Sequence, residues 1–322
     1  MKRYLLIVMA LVALGTPVSA QNVLDGVYVK EHIPTKKLIQ YPHLREADVM
    51  WEKRIWRVID TREKINFPLY YPLKRLTDRE NLFDILRKHV LAAEIIPYNY
   101  VGPDLTEYGG DMFFYPISPS LPDYREQANA LFGEPEAPPT TPMVDQNGNQ
   151  IVLGSDEYGY PIYQYHPADK VIGKTPRGGD SIMPGRDTIY YSAEDIIGWE
   201  VKEDWFFEKQ RSVMDVRIIG IAPIVGSKNV NSLGVPRKLF WIYFPELRYI
   251  IQNYFVYNRQ NDAQRMSFDD LFWKRMFNSY IKKESNIYDR QIIDYTSGID
   301  ALLESEKIRI QMQDIEHDVW DI

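Results

Sequence analysis

Residues 196–225 hold the strongest structural signal in the chain, the run IIGWEVKEDWFFEKQRSVMDVRIIGIAPIV. In its first part, apolar and aromatic residues alternate with charged ones from Trp199 to Phe207. This period of two is typical of a β-strand, whose successive side chains point to opposite faces. The polar stretch 208–211 predicts a turn, and the apolar run 213–223 predicts a second, largely buried strand.

Further elements are predicted on the carboxyl-terminal side of this run. Residues 237–244 favour another strand. Ser267 and Asp270 form a capping-box pattern that opens a helix. The apolar side of that helix is predicted to carry Phe268, Leu271, Phe272, Phe277 and Ile281. The polar stretch from Gly298 onward is predicted to be a partly frayed helix.

The amino-terminal side is more ambiguous. Residues 46–66 favour a helix, because one face at helical spacing would carry Trp51, Ile55, Val58, Ile59 and Ile65. The adjacent pair Val58-Ile59 leaves a strand open for part of this segment. Residues 67–72 are predicted to be a short aromatic strand. Residues 78–94 are predicted to be a helix capped by Asp78, with an apolar stripe of Leu82, Phe83, Leu86 and Val90.

Short strands and helices in mixed order predict an α+β protein. We expect two lobes of this kind, residues 21–115 and residues 192–322. Residues 116–191 would join them as a Pro-, Gly- and Tyr-rich irregular region, because many prolines leave little room for regular elements. A hairpin turn is predicted in this region at Asn147-Gly148.

A weak internal similarity accompanies this division. Val58–Arg62 resembles Val213–Arg217, and Pro68 and Pro223 keep the same offset. A duplicated lobe and chance similarity both account for so few matching positions.

Residues 1–20 have the layout of a secretory signal peptide. Lys2 and Arg3 form a basic start, and the apolar stretch 4–14 is too short to span a bilayer. Small residues precede a predicted cut after Ala20. Gln21 follows, where a bacterial lipoprotein would need Cys to carry its lipid. We therefore expect an exported chain without an amino-terminal lipid anchor.

The composition excludes several classes of function. The formal net charge of −7 argues against general binding to a nucleic-acid backbone, which requires a basic surplus. The chain contains no Cys, which excludes thiolate metal sites, iron–sulfur clusters and cysteine nucleophiles. Without disulfides, the fold must rely on packing alone.

Two loop motifs carry weak chemical signals. Residues 168–175 fit a loose phosphate-binding loop, but Pro167 precedes them and Pro-Arg-Gly-Gly follows where a helix is required. Residues 145–156 resemble a calcium loop, yet Gln150 stands where Gly is needed. We interpret the first as a chance match and the second as an ordinary turn. No metal-ligand spacing relates the histidines at positions 32, 43, 89, 166 and 317. No catalytic, cofactor-binding or metal-binding residue is therefore predicted.

The aromatic content, with 7 Trp, 23 Tyr and 13 Phe, exceeds what a compact core needs. Most of these side chains are expected to fill the core and the strand faces. The remainder would form docking surfaces, where Tyr, Trp and Arg contribute most of the binding energy. Rigid, extended contact segments are suggested by the Tyr-Pro pairs at 41–42, 71–72, 115–116 and 160–161.

Segments distributed in order along most of the chain beyond residue 43 carry a family resemblance. They read LREADVMWEKRIWRVID (44–60), LYYP (69–72), KEDWFF (202–207), RSVMDVRIIGIAP (211–223), LFWIYFPE (239–246), LFWKRMFNSYI (271–281) and KESNIYD (283–289). In this order they resemble the gliding motility protein GldN/PorN family. Leu247 stands where members often have Cys, which affects none of the expectations here.

The resemblance implies a non-catalytic periplasmic scaffold subunit of the type IX protein secretion and gliding motility machinery of Bacteroidota. It implies a ring formed with a GldK/PorK-type outer-membrane lipoprotein, which would hold the chain at the outer membrane. It also implies self-association within that ring and contact with a GldM/PorM-type protein anchored in the inner membrane. No catalytic residue or cofactor is carried over, because the family is known for assembly.

The residues alone leave one rival open, a periplasmic glycan-binding or glycan-cleaving envelope protein with aromatic side chains as sugar platforms. A pocket lined by Trp beside paired carboxylates would favour this rival. Flat aromatic patches without such a pocket would favour the scaffold.

Overall fold

The computed structural model describes residues 37–76, 79–100, 110–135, 143, 149–155, 159, 161–164, 170–174, 180–183, 188–228, 234–261 and 263–320. The predicted signal peptide, the predicted cap Asp78 and the predicted turn at Asn147-Gly148 lie outside these residues.

The described strands are β1 Val49–Asp60, β2 Pro97–Asn99, β3 Gly133–Pro135, β4 Val152–Ser155, β5 Pro161–Tyr163, β6 Lys170–Lys174, β7 Asp180–Met183, β8 Thr188–Tyr190, β9 Ile196–Glu208, β10 Val213–Gly226, β11 Pro236–Lys238, β12 Phe240–Tyr243, β13 Phe255–Val256, β14 Met266–Ser267 and β15 Tyr280–Glu284. The described helices are α1 Phe67–Tyr70, α2 Leu82–Leu91, α3 Tyr124–Ala130, α4 Phe244–Ile251, α5 Phe268–Trp273 and α6 Ile299–Trp320.

A seven-stranded antiparallel sheet is the framework of the fold. Its order is β15-β1-β9-β10-β12-β2, and β11 also pairs with β10. The strands predicted in residues 196–225 are confirmed as β9 and β10, which pair along most of their length. They lie in the middle of the sheet, where strands on both sides pair with their backbone groups.

Residues 49–60 form strand β1, so the helix predicted over residues 46–66 is wrong. Trp51, Ile55 and Ile59 recur every four residues. This spacing returns to nearly the same face of a helix and, being even, to the same face of a strand. β1 pairs with β9 along most of its length and with β15 over residues 55–58, so these strands satisfy many of its backbone groups. Tertiary pairing thus decides between two conformations that the spacing alone allows.

Two segments after β1 also differ from the predictions. Phe67–Tyr70 forms the single helical turn α1 and not a strand, with Pro68 in its first turn, where Pro is tolerated. Helix α2 is confirmed, but its cap is Asn81, whose side chain accepts a hydrogen bond of 2.8 Å from the Asp84 N–H. The predicted apolar stripe is buried as expected, at Leu82, Phe83, Leu86 and Val90.

The predictions for the carboxyl-terminal elements are largely confirmed. Ser267 and Asp270 form the capping box of α5. This helix ends at Trp273, so Phe277 lies beyond it and Ile281 belongs to β15. The predicted strand 237–244 is split into β11 and β12, and its last residue opens α4. Helix α6 is present as predicted.

The two faces of the sheet are covered differently. Helices α1 to α5 cover most of one face and form the main core with strand residues that include Ile59, Trp199, Val201, Ile221 and Phe240. Helix α6 packs beside them, on a smaller cluster of Ile55, Ile281, Ile292, Ile308 and Met312. The opposite face carries a third cluster of Trp56, Ala222 and Trp241, with Tyr98, Tyr100 and Phe113 against it.

The α+β class is confirmed, but the predicted lobes share one sheet. Strands β1 and β2 from residues 21–115 pair with β9 and β12 from residues 192–322. Leu38–Ile322 accordingly cluster as one compact unit. The predicted boundary at residue 116 therefore does not separate two hydrophobic cores.

The internal similarity is not matched by equivalent positions in the fold. Asp60 pairs with Gly198 at one end of β9, whereas Asp215 pairs with Phe206 near the other end. Pro68 lies in a helix and Pro223 in a strand. The described fold therefore gives no support to a duplicated lobe.

The connecting region 116–191 contains more regular structure than predicted. Helix α3 buries Tyr124 and Ala128 in the main core despite the surrounding prolines. Strand β3 pairs with β8, and the pairs β4–β5 and β6–β7 are further two-stranded ribbons. Buried Tyr124, Phe132 and Tyr191 anchor α3 and the β3–β8 pair, and local composition does not indicate these tertiary contacts.

Candidate docking surfaces

Helix α6 has apolar residues on two opposite sides. Its inner side is buried, with Ile308 and Met312 in a core cluster with β15. The Ser305 hydroxyl on this side accepts a hydrogen bond of 2.8 Å from the backbone N–H of Ile281. At 3.6 residues per turn, Ile299, Leu303 and Ile310 fall on the other side of the helix.

That other side is exposed. Ile299 is 75% exposed and Leu303 is 62% exposed, and their neighbours Leu302 and Ile310 are also exposed. We call these four residues the outer stripe. The segment before the helix adds exposed Ile287, Tyr288 and Ile293. Exposed apolar side chains at helical spacing are typical of a helix that docks into a partner.

Acidic residues accompany the outer stripe. Asp300 is exposed beside Ile299. Glu306, which is in line with the stripe, pairs with Arg309 at 2.5 Å, and Glu304 pairs with Lys307 at 3.3 Å. The outer stripe therefore has an exposed acidic side chain, Asp300, at its start, and Glu304 and Glu306 form ion pairs further along the helix.

A second candidate surface is an apolar groove of about 510 Å³. Its walls come from residues 67–76, which include α1, and from the loop after β13. The lining residues are Phe67, Pro68, Tyr71, Pro72, Leu73, Leu76, Arg79, Tyr257 and Arg259. The Arg79 guanidinium lies over the Tyr257 ring at 5.4 Å. Tyr71, Leu76 and Tyr257 are all nearly half exposed, so the groove is open on the surface.

A smaller pocket of about 140 Å³ surrounds the extended segment that precedes β1. The Tyr41 ring stacks on Trp273 with centroids 5.2 Å apart, and the Arg248 guanidinium lies 4.5 Å from the centroid of the Tyr41 ring. Arg248 Nε donates to Asp269 at 2.7 Å, and Arg217 donates to the Pro42 carbonyl at 2.6 Å. Burial raises the pKa of Tyr41. The chain's own Tyr41 therefore packs in this pocket, against Trp273 and Arg248.

The small pocket partly meets the criterion for the glycan-active rival, because Trp273 lies in it with Asp215 and Asp269. Its volume is well below the 300–1,000 Å³ that is usual for ligand pockets. The carboxylate of Asp269 is also held by two nitrogens of Arg248, at 2.7 and 3.3 Å. These contacts indicate an ion pair that anchors the Tyr41 segment.

Strand β9 contains buried charges that are paired within the chain. The Glu200 carboxylate accepts from Lys282 at 2.9 Å and contacts Lys238 at 3.1 Å. Burial alone would raise the pKa of Glu200, but Lys238 and Lys282 outweigh it and lower that pKa. Glu203 is fully buried and accepts from both terminal nitrogens of Arg275, at 2.8 and 3.1 Å.

Lys202 is the buried cation of the same strand. Its ammonium donates to the Asp111 carbonyl at 2.5 Å and lies 5.6 Å from the ring centroids of Trp56 and Phe113. Burial lowers the pKa of Lys202. These groups are enclosed by aromatic rings and opposite charges, an arrangement that stabilises the third cluster.

The described residues give no support for phosphate binding or metal binding by the two loop motifs. Lys170–Lys174 of the loose phosphate-binding pattern is strand β6, paired with β7, so Gly173 lies in a ladder and not in a phosphate-binding turn. Asp145 and Asp156 of the calcium-like loop lie outside the described residues. Within the described ranges, no group of three or more His, Cys, Asp or Glu side chains is placed to hold a metal.

The predicted division of the aromatic residues can be followed for tryptophan. Trp56, Trp199 and Trp241 are buried, and Trp51 and Trp205 pack on a core cluster. Trp273 is 40% exposed and serves as the platform for Tyr41. The surface aromatic side chains are instead mainly tyrosines.

The Tyr-Pro pairs lie in different environments, and their contact role with other molecules stays a prediction. Tyr41 contacts the chain's own Trp273, and Tyr71-Pro72 lines the apolar groove. Pro116 bridges to Tyr98 of β2. Tyr160 lies outside the described residues. The sequence singled out the Tyr71-Pro72 pair, which lines the groove, but it did not predict the groove or the outer stripe.

In the described part of the chain, no helix is both long and apolar enough to cross a membrane. The fold and its surfaces define an α+β protein with an exposed apolar helix side and an open apolar groove.

The model of the family described as "Gliding motility associated protein GldN" matches residues 44–321. The chain therefore belongs to the GldN family of gliding motility associated proteins. No curated protein matches the chain.

Proposed function

We propose that the chain is a non-catalytic scaffold subunit of the type IX protein secretion and gliding motility machinery. In this role it forms a ring in the periplasm with a GldK/PorK-type outer-membrane lipoprotein, and it contacts a GldM/PorM-type protein anchored in the inner membrane. Family membership over residues 44–321 carries the proposal. The outer stripe and the apolar groove support it, because a scaffold subunit needs exposed surfaces for its neighbours.

A structural role fits the placement of the buried charges. A general acid or base must lie within hydrogen-bond reach of a substrate. Glu200, Glu203 and Asp269 instead each accept from a Lys or Arg of the same chain. Because each of these carboxylates is engaged by a cation of the same chain, we assign them a role in stabilising the fold.

Export to the periplasm is part of the proposal. The signal-peptide pattern of residues 1–20 predicts transport across the inner membrane. The lipoprotein partner would hold the chain at the outer membrane. Mass spectrometry of the chain from its own cells is expected to find Gln21 as the first residue. An intact Met1 would contradict this step.

The decisive experiment co-expresses the full chain with its candidate lipoprotein partner and fractionates the detergent extract by size. We expect both proteins in one high-mass complex that contains several copies of each. A strain that lacks the chain should lose both secretion by this machinery and gliding, where the organism glides. Elution as two separate monomers, together with unchanged secretion in the deletion strain, would refute the proposal.

A further inference from the structure

We propose that the outer stripe of one copy docks into the apolar groove of a second copy. The inference rests on the proposed function, because a ring needs a contact that repeats from subunit to subunit. A helix side in one place and a groove in another make a head-to-tail contact. Such a contact either closes into a ring or continues as a filament.

The apolar parts of the two surfaces are matched in kind. The outer stripe offers aliphatic anchors at Ile299, Leu303 and Ile310, and the groove offers aromatic and aliphatic walls at Phe67, Tyr71 and Leu76. An amphipathic helix that lays such anchors into an apolar groove is a recurrent recognition mode. The groove volume of about 510 Å³ is large enough to accept side chains.

Within the residues that the structure describes, key side chains of both surfaces are exposed to solvent. Leu303 is 62% exposed on α6, and Tyr257 is 48% exposed in the wall of the groove. Both therefore face away from the chain's own core. A second copy supplies the missing half to each of them at once.

The charges at the two surfaces are opposite. Arg79 and Arg259 line the groove, and the exposed carboxylate of Asp300 lies beside the first anchor of the stripe. Arginine is enriched at interfaces, and opposite charges at the rim set orientation and partner choice. The contact therefore has one preferred direction.

The same charges argue against a lipid surface as the occupant. Helices that lie on membranes carry Lys and Arg on their polar face. Glu304 and Glu306 are paired with Lys307 and Arg309. Over its whole length, however, α6 carries six acidic residues against these two basic ones, a balance that an anionic membrane surface would repel. A protein groove with arginines is the better match.

Disulfide trapping tests the contact directly, because the chain has no cysteine of its own. A chain carrying Leu76→Cys and Leu303→Cys is expressed in its native cells and treated with a mild oxidant. We expect a ladder of covalent dimers, trimers and larger species. Each single variant should give at most dimers. The matched control is Leu76→Cys with Asp318→Cys, which lies on the same side of α6 but roughly 22 Å further along, and it should give no ladder.

Charge exchange tests the same contact without oxidation. Arg259→Glu and Asp300→Lys should each lower the number of copies per complex, with self-association weakened about tenfold, and the two changes together should restore it. Arg125→Glu on α3 and Asp318→Lys on α6 are exposed controls that should leave the complex unchanged.

The outcomes separate this inference from the proposed function. Co-purification with the lipoprotein partner, without a ladder and without an effect of the charge variants, would overturn the docking contact and leave the scaffold role intact. Failure to co-purify would count against the scaffold role, while the ladder is still read from the oxidised cells. A ladder that persists when Arg259 is reversed to Glu would contradict the charge match.

Discussion

Strand β9 and helix α6 place polar and apolar residues in opposite ways. The strand buries Glu200, Lys202 and Glu203 and gives each a partner in the same chain. The helix exposes Ile299 and Leu303 and gives them no apolar cover. Burying an unpaired charge costs far more than exposing a single aliphatic side chain. The chain therefore pairs the buried charges of β9 internally, whereas it leaves apolar side chains of α6 in contact with solvent, where the proposed second copy would cover them.

The largest expected effect comes from removing a buried charge on β9. Glu200→Ala should lower the free energy of unfolding by about 3–5 kcal/mol, because Lys238 and Lys282 would lose their shared counter-ion in a buried site. Urea titration measures the change. Glu306→Ala on the exposed surface of α6 is the control and should leave the midpoint unchanged. A loss of less than about 1 kcal/mol for Glu200→Ala would show that water reaches the lysines.

The next effect separates the two sides of α6. Ile308→Ala on the inner side should cost about 2–5 kcal/mol, since it opens a cavity in a core cluster. Leu303→Ala on the outer stripe should change stability by less than about 0.5 kcal/mol, because no packing is lost within the chain. Thermal and urea unfolding give both values. Similar losses for the two variants would mean that the outer stripe is packed in the free subunit.

The smallest effect concerns pH. The lysines hold the pKa of Glu200 below its ordinary value of 4.5. A lowered folded-state pKa contributes stability that is complete above the unfolded-state value and is lost as the pH falls through the folded-state value. Unfolding free energies from neutral pH to about 3 should therefore fall less steeply for Glu200→Gln than for the native chain. Parallel curves would argue against the assigned ion pairs.

The central sheet was predictable where the local pattern has one solution. Alternation in β9 and the long apolar run of β10 leave little choice. The four-residue spacing in β1 fits both a helix and a strand, so only the neighbouring strands decide. The cap of α2 is Asn81, whereas the sequence predicts Asp78; several polar residues precede this helix, and more than one of them is of a type that caps helices.

The candidate site was harder to predict, for two physical reasons. Helix α6 has apolar residues on opposite sides, so its sequence does not show the single apolar face that is typical of an amphipathic helix. The sequence therefore predicts only a polar helix in this segment. The groove joins residues 67–76 and Arg79 to Tyr257 and Arg259, and only the fold brings these distant segments together. The family, by contrast, could be recognised from contiguous segments and is confirmed.

The borders of the main sheet limit how neighbours can attach. At one border, the Ile281 N–H is bonded to Ser305 of α6. At the other, the Asn99 N–H donates to the Tyr115 carbonyl at 2.9 Å, and the Pro97 carbonyl accepts from Ile117 at the same distance. Main-chain groups are thus occupied along β2 and at Ile281 of β15, and at these positions a foreign strand has fewer groups with which to pair. Extension of the sheet by a strand of another chain is therefore disfavoured at these positions. In the proposed assembly, side-chain contacts would then determine how many copies associate.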